Sequence, residues 1–316
     1  MFKKILASLG KGAAVVDLQL QGNEFEMGET AEGELIVTGG EIEQTINSIQ
    51  VALFIEIHRK KGTVSRQIAS VHVSDSFIIG ANEQKVLPFS FELPNNLAVS
   101  NKQIAFYFDT QLDIAAGVNK KDVDYIHIYP SQSIANIFSA LEALGFYEEE
   151  NSGRMDTHGQ EFALYPTTHF KDDVAEVEIR FAEEEEGIQL WMELDVSHWF
   201  GEKEVNREIF LSEETIQNES LLIKTLKKLI QESIESPERY DQKPSYYSAS
   251  KSSTTANRAF KVTVGGLIAY ELMDEIDDLY EEEDEEDEEE YEEEDYESED
   301  SYESDDSSDF SDSDDY

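Results

Sequence analysis

Ile49-Gln50-Val51-Ala52-Leu53-Phe54-Ile55-Glu56-Ile57-His58 is the stretch on which the fold turns. Ile49, Val51, Leu53, Ile55 and Ile57 are all aliphatic, and Gln50, Glu56 and His58 lie between them. A period of two places one apolar row on a core and one row toward water, which is the pattern of a half-buried strand. Phe89, Phe91 and Leu93 repeat it around Ser90 and Glu92, and Ile126 and Ile128 repeat it around His127. Turn residues separate these runs: Gly22-Asn23, Gly39-Gly40, Lys61-Gly62, Gly80-Ala81-Asn82 and Pro94-Asn95-Asn96. Glycine and asparagine tolerate the positive φ that tight turns demand. Short strands spaced in this way predict an all-β sandwich or barrel.

Working outward, the pattern breaks once and then returns. Ser131 or Ser133 is placed to cap a helix with an apolar stripe of Ile134, Ile137, Phe138, Leu141 and Leu144, and Gly145 stands at its C-terminal cap. Beyond it, Val177, Ile179 and Phe181 alternate with Glu178 and Arg180. Ile188, Leu190, Met192, Leu194 and Val196 alternate with Gln189, Trp191, Glu193 and Asp195. A second helix, capped by Ser212, buries Leu222, Ile223, Leu226, Leu229, Ile230 and Ile234, with Lys224, Lys227 and Lys228 mostly outside.

The expected plan is an N-terminal β-sandwich over 1–130, a connecting helix over 131–145 and a second β domain with a terminal helix over 146–236. A linker and short apolar patch over 237–273 come next, then an acidic tail over 274–316. Between Pro237 and Lys261 there are five Lys or Arg against two acids and no apolar period, the composition of a linker. The tail holds 28 acidic residues in 43 positions and no Lys or Arg. Such a block buries too little apolar surface to offset the entropy of ordering, so disorder is expected.

Composition sets further limits. The formal charge is −47; without the tail, 43 acidic and 24 basic residues still give −19. A body this negative repels nucleic-acid phosphates and anionic membranes, so no nucleic-acid partner is expected. The basic groups, Lys3, Lys4 and Lys11, the His58-Arg59-Lys60-Lys61 hairpin and the Lys224 face, read as solvated surface. The chain has no cysteine, which excludes disulfides, thiol catalysis and iron–sulfur clusters and agrees with a reducing cytoplasm. The apolar stretch after Lys3-Lys4 stops at Leu9, short of a signal peptide, and Val262 to Met273 contains Glu271 and is too short to span a bilayer. A cytoplasmic protein with no stable membrane insertion is expected.

The search for chemistry returns no catalytic, cofactor-binding or metal-binding assignment. His58, His72, His127, His158, His169 and His198 form no H-E-x-x-H pair, and no nucleophile elbow or phosphate loop occurs. His158 and His169 stand near Asp156 and Asp172 as surface or loop histidines. Gly10-Lys11-Gly12 lacks the third glycine and the strand–helix setting of a dinucleotide fingerprint. Asp113, Asp122 and Asp124 read as turn-stabilising aspartates in one loop and miss the spacing of a calcium loop. Two stretches have a contact reading beside a bland one. Phe2, Ile5, Leu6 and Leu9 either pack on the chain's own sandwich or dock on a partner or membrane. The tail, with Tyr280, Tyr291, Tyr296 and Tyr302 among serines and acids, is either a solubilising bristle or a segment that binds or is phosphorylated.

Several separate blocks keep an order of their own: FKKILASLGKGAAVVD from Phe2, VTGGEIEQTI from Val37, LPFSFELP from Leu87, TQLDIAAGV from Thr110, DVDYIHIYP from Asp122 and LEALGF from Leu141. Over about the first 145 residues the chain resembles the sporulation-control family of spore-forming bacteria, and more loosely from Phe146 to Ser236. Met27 and Asn119-Lys120 depart from that family's usual proline-containing pattern. The resemblance implies two tandem arrestin-like β-sandwiches and a non-enzymatic regulator or scaffold that acts on protein partners during sporulation. A competing class is a polyanionic protein whose tail sequesters cations or competes electrostatically with acidic partners.

Overall fold

In a computed structural model, the structure describes residues 12–59, 62–156, 158–198, 201–240 and 245. The expectations for the segment before Gly12, for most of the linker and for the acidic tail lie outside them. Nine strands build the first half: β1 (Val15–Leu20), β2 (Glu24–Glu26), β3 (Thr30–Thr38), β4 (Gln44–Arg59), β5 (Gly62–Ser74), β6 (Phe77–Ile79), β7 (Gln84–Glu92), β8 (Ile104–Ile114) and β9 (Lys120–Tyr129). They form a three-stranded sheet, β1-β3-β7, and a second sheet, β2-β9-β8-β4-β5, with β6 also on β4. All pairings in this half are antiparallel except β2 with β9, which is parallel.

The alternation explains why the two sheets close on each other. Ile49, Val51, Leu53, Ile55 and Ile57 are completely buried. Leu35, Val37, Phe89 and Phe91 bring the facing sheet onto the same core. Phe108 sits between the layers, edge-on to Phe89 and Phe91 at ring-centroid separations of 5.5 and 5.3 Å. Edge-to-face rings of this kind match the positive ring edge to the negative ring face.

Helix α1 (Gln132–Ala143) comes next, and Ser131 is its N-cap, with its hydroxyl accepting from the Ile134 N–H at 3.4 Å. Gly145 adopts φ +90° just past the helix, a conformation that costs glycine little. The second half then adds β10 (Phe146–Glu148), β11 (Arg154–Asp156), β12 (Gly159–Pro166), β13 (Val174–Glu184), β14 (Gly187–His198) and β15 (Gly201–Ser212). These form one antiparallel sheet, β10-β12-β13-β14-β15, with β11 on β12. Helices α2 (Glu213–Gln217) and α3 (Glu219–Glu235) complete it.

The tandem, mainly antiparallel β plan expected from the sequence is present, but the later half is one sheet covered by helices in place of the expected second two-sheet sandwich, because α1 and α3 supply the apolar layer that a second sheet would have given. Ile188, Leu190, Met192, Leu194 and Val196 are buried on the side of the sheet that carries α1 and α3. A further expectation needs correction: Ser212 caps only the short α2. The long helix restarts at Asn218, which takes an extended conformation and accepts the Leu221 N–H on Oδ1 at 3.1 Å. The sequence pattern runs through this break because the apolar stripe of α3 begins only at Leu222.

The two halves are stitched by side chains bonded to backbone. Gln160, 1% exposed, accepts the Val99 N–H at 2.7 Å and donates to the Val99 and Gly153 carbonyls at 3.0 Å each. Asn96 exchanges hydrogen bonds with the backbone of Glu183, and Arg59 donates to the Met155 carbonyl.

Candidate functional site

Two sheet faces carry the side chains most able to act by contact. The first is the outer face of the β9-β8-β4 sheet. Odd positions of β9 point away from the core, and Val123 and Tyr125 stand 48% and 55% exposed. Across the strands, register sets Tyr125 opposite Tyr107 and Tyr107 opposite Phe54. The rings of Phe54 and Tyr107 stack at 5.2 Å with 3° between planes, and Tyr107 meets Tyr125 at 5.3 Å. The Tyr107 hydroxyl is tied to Ser65 on β5 at 2.7 Å. The result is a pre-ordered aromatic strip that loses little side-chain entropy when covered.

At one end of the strip, Leu20, Gly22, Asn23, Val123, Asp124 and Tyr125 line an open hollow of about 420 Å³. It lies where β1 runs beside β9 and the Leu18 N–H is taken by Asp122 Oδ2 at 2.8 Å. Burial, together with the neighbouring carboxylates of Asp122 and Asp17, pushes Asp124 up to about 6. The three aspartates expected to stabilise the turns of one loop are therefore on strands: Asp113 lies near the end of β8, and Asp122 and Asp124 belong to β9. Asp122 serves the seam between the two sheets, and Asp113 accepts from Asn47 at 3.2 Å.

The second face is the outer side of the β12-β13-β14-β15 sheet. Register sets Arg180 opposite Trp191 and Trp191 opposite Glu208, with Glu178, Glu193 and Asn206 in the next row. Arg180 is 5% exposed and donates to both Asp156 oxygens at 2.8 and 2.6 Å, to the Gly159 carbonyl and to Glu161. One guanidinium does not satisfy this many carboxylates. Burial, then the charges of Glu161, Glu193 and Glu176, raise Glu178 to about 8. Burial, then Glu204, Glu161 and Asp195, raise Glu193 to about 7. Glu178 directly opposite Glu193 is a like-charge cross-strand pair, an arrangement that opposes pairing.

The histidines considered from sequence are scattered over both halves. His58 bonds Thr63 and Glu56, His72 meets Asp75, His127 packs on Tyr129, and His169 meets Thr168. Asp156 Oδ1 accepts the His158 backbone N–H, and the same carboxylate is held by Arg180 through both oxygens. The His198 side chain lies outside the described residues. Among the described residues, no group of three or more His, Cys, Asp and Glu is set to hold a metal ion. No helix among them is long and apolar enough to cross a membrane. Neither face is foreseen by the sequence reading. The available signal is the odd-position row Val123, Tyr125, His127, Tyr129, which is too apolar for a freely solvated strand face.

Sheets, connecting helix and contact faces together define an arrestin-like tandem β protein. The chain belongs to the Spo0M family: the model of that family, described as SpoOM protein, matches residues 2–198. It is 32% identical over 210 residues to the sporulation-control protein spo0M of Bacillus subtilis (strain 168), covering 61% of this chain and 80% of that protein. It also superposes on the crystal structure of Spo0M from Bacillus subtilis with a TM-score of 0.61 and 26% identity. That match covers 70% of this chain and 99% of the other.

Proposed function

We propose that this protein is a non-enzymatic, cytoplasmic regulator of sporulation that works by binding a protein partner through the aromatic strip of its first half. The observation that carries the reading is the strip itself. Phe54, Tyr107 and Tyr125 lie ring against ring in a row across three strands, with Val123 exposed on the same face, and make a partly exposed apolar surface on a sheet face otherwise expected to be polar. Aromatic side chains dominate the energetics of contact surfaces because they bury a large area at low entropic cost. The sporulation role rests on membership of the Spo0M family and on the name of the Bacillus relative.

The test is a photo-crosslinking amino acid introduced at Tyr125, and separately at Tyr165 in the second half, in sporulating cells. A discrete protein adduct at Tyr125 and none at Tyr165 supports the reading. Adducts at Tyr165 alone, or at neither position, overturn it.

A further inference from the structure

The acidic face of the second sheet has a chain already delivered to it. After α3, a 3-10 turn at Pro237–Arg239 reverses the backbone. The Tyr240 ring lies under Arg207 at 4.0 Å, and its carbonyl accepts the Asn206 N–H at the edge of β15. Tyr240 thus lies on the helical side of the sheet and Ser245 on its outer side. There the Trp191 Nε1–H donates to Ser245 Oγ at 3.1 Å, and the Ser245 N–H donates to Glu208 Oε1 at 2.5 Å.

The residues just beyond Ser245 complement this face in charge. Residues 246–261 carry Lys251, Arg258 and Lys261 and no acid. Within the sheet, Glu161, Glu178, Arg180, Trp191, Glu193 and Asn206 line a recess holding one positive charge against three carboxylates. Asn206 Oδ1 is shut off from solvent there and has no hydrogen-bond partner among the described residues. We propose that this face is the docking surface for the chain's own basic linker, residues 246–261, with Lys251 over the Glu178–Glu193 row.

Reach and charge both agree. From β15 to β12 is three strand spacings, about 14 Å. The six residues from Ser245 to Lys251 span up to about 20 Å when extended. Tethering at Ser245 holds the basic groups at high effective concentration, so weak electrostatic contacts suffice. Burial and mutual repulsion hold Glu178 and Glu193 reluctant to ionise, and an ammonium group placed between them relieves that repulsion. A basic partner seeking this face must displace the linker first. The contact is separate from the aromatic strip, so its failure leaves the proposed partner-binding surface untouched.

The experiment is zero-length carbodiimide crosslinking of the full chain, read by peptide mass spectrometry at low and high salt and over a range of protein dilutions. Links from Lys251 or Lys261 to Glu161, Glu178 or Glu193 are expected. Their yield should be independent of dilution and fall about tenfold in high salt, as screening predicts. The linker variant Lys251→Gln/Arg258→Gln/Lys261→Met, which leaves the sheet untouched, should uncover the face. In that variant a Lys-containing basic peptide added in trans should crosslink to Glu178 or Glu193 several-fold more than in the parent chain. Absence of the intramolecular links, a yield that rises with concentration (a second copy as occupant), or equal peptide labelling of parent and variant would overturn the proposal.

Discussion

Replacing Glu178 by Gln should make the protein more stable at alkaline pH and leave it nearly unchanged only in acid near about pH 4. Glu178 stands across the strand pair from Glu193, with Glu161 and Glu176 also close, and its carboxyl is raised from 4.5 to about 8. A carboxyl raised in the folded state binds its proton more tightly there than in the unfolded chain. The associated stability is complete below about 4.5 and is lost as pH climbs toward about 8. The full linkage is about 5 kcal/mol at ~1.4 kcal/mol per unit. Because neighbouring carboxylates share the protons, about 2–3 kcal/mol is assignable to this one side chain. Glutamine keeps the shape and removes the charge. In thermal unfolding at about pH 9, the variant should melt roughly 5–10 °C above the parent. At about pH 4, where the carboxyl is protonated in the folded and largely in the unfolded chain, the two curves should nearly coincide, and they should separate progressively as pH rises. A variant that melts at or below the parent at alkaline pH refutes the reasoning, because the crowding of charge on this face would then have no energetic consequence.

Gln160→Ala should lower stability by about 2–4 kcal/mol, since it orphans the Val99 N–H and carbonyl at the junction of the halves; denaturant unfolding checks this. Gly145→Ala should cost at least about 2 kcal/mol in the same assay. The residue sits at φ +90°, and an added Cβ would lie 2.1 Å from Thr168 Oγ1. Arg180→Met should destabilise by about 2–4 kcal/mol at neutral pH by leaving Asp156 and Glu161 without their cation. That loss should shrink in acid, where Glu161, whose carboxyl burial pushes up, takes up a proton, and melting temperatures across pH will show it.

The sequence discloses the parts of the fold that local chemistry controls. The odd positions from Ile49 to Ile57 are buried as their spacing predicts, Ser131 caps α1, and Gly145 ends it, because each signal acts within a few residues. The blocks from Phe2 to Phe146 also point to the family that the comparisons show. The features that stay hidden depend on distant contacts. Arg180 belongs by its spacing to the polar side of β13. Its burial is imposed by β11 and β12, whose Asp156 and Glu161 close over it. Gln160 looks like any polar strand residue until Val99 arrives from the other half. Trp191 gives no hint of Ser245, which lies 54 residues on. The break at Asn218 is masked by the stronger apolar stripe beyond it, although Asn is a good cap by nature.

The aromatic strip is the proposed working surface, and its exposed residues can be removed without touching the core. Val123→Ser/Tyr125→Ser changes side chains that are about half exposed and loses the Tyr107–Tyr125 ring contact, so the variant should retain the parent's circular dichroism and lose about 1–2 kcal/mol of stability. The decisive measurement is sporulation efficiency in a strain deleted for this protein and complemented with either the parent or that variant at equal protein level. The parent should restore sporulation control and the folded variant should not. Full restoration by the variant would contradict the assignment of the strip as the working surface.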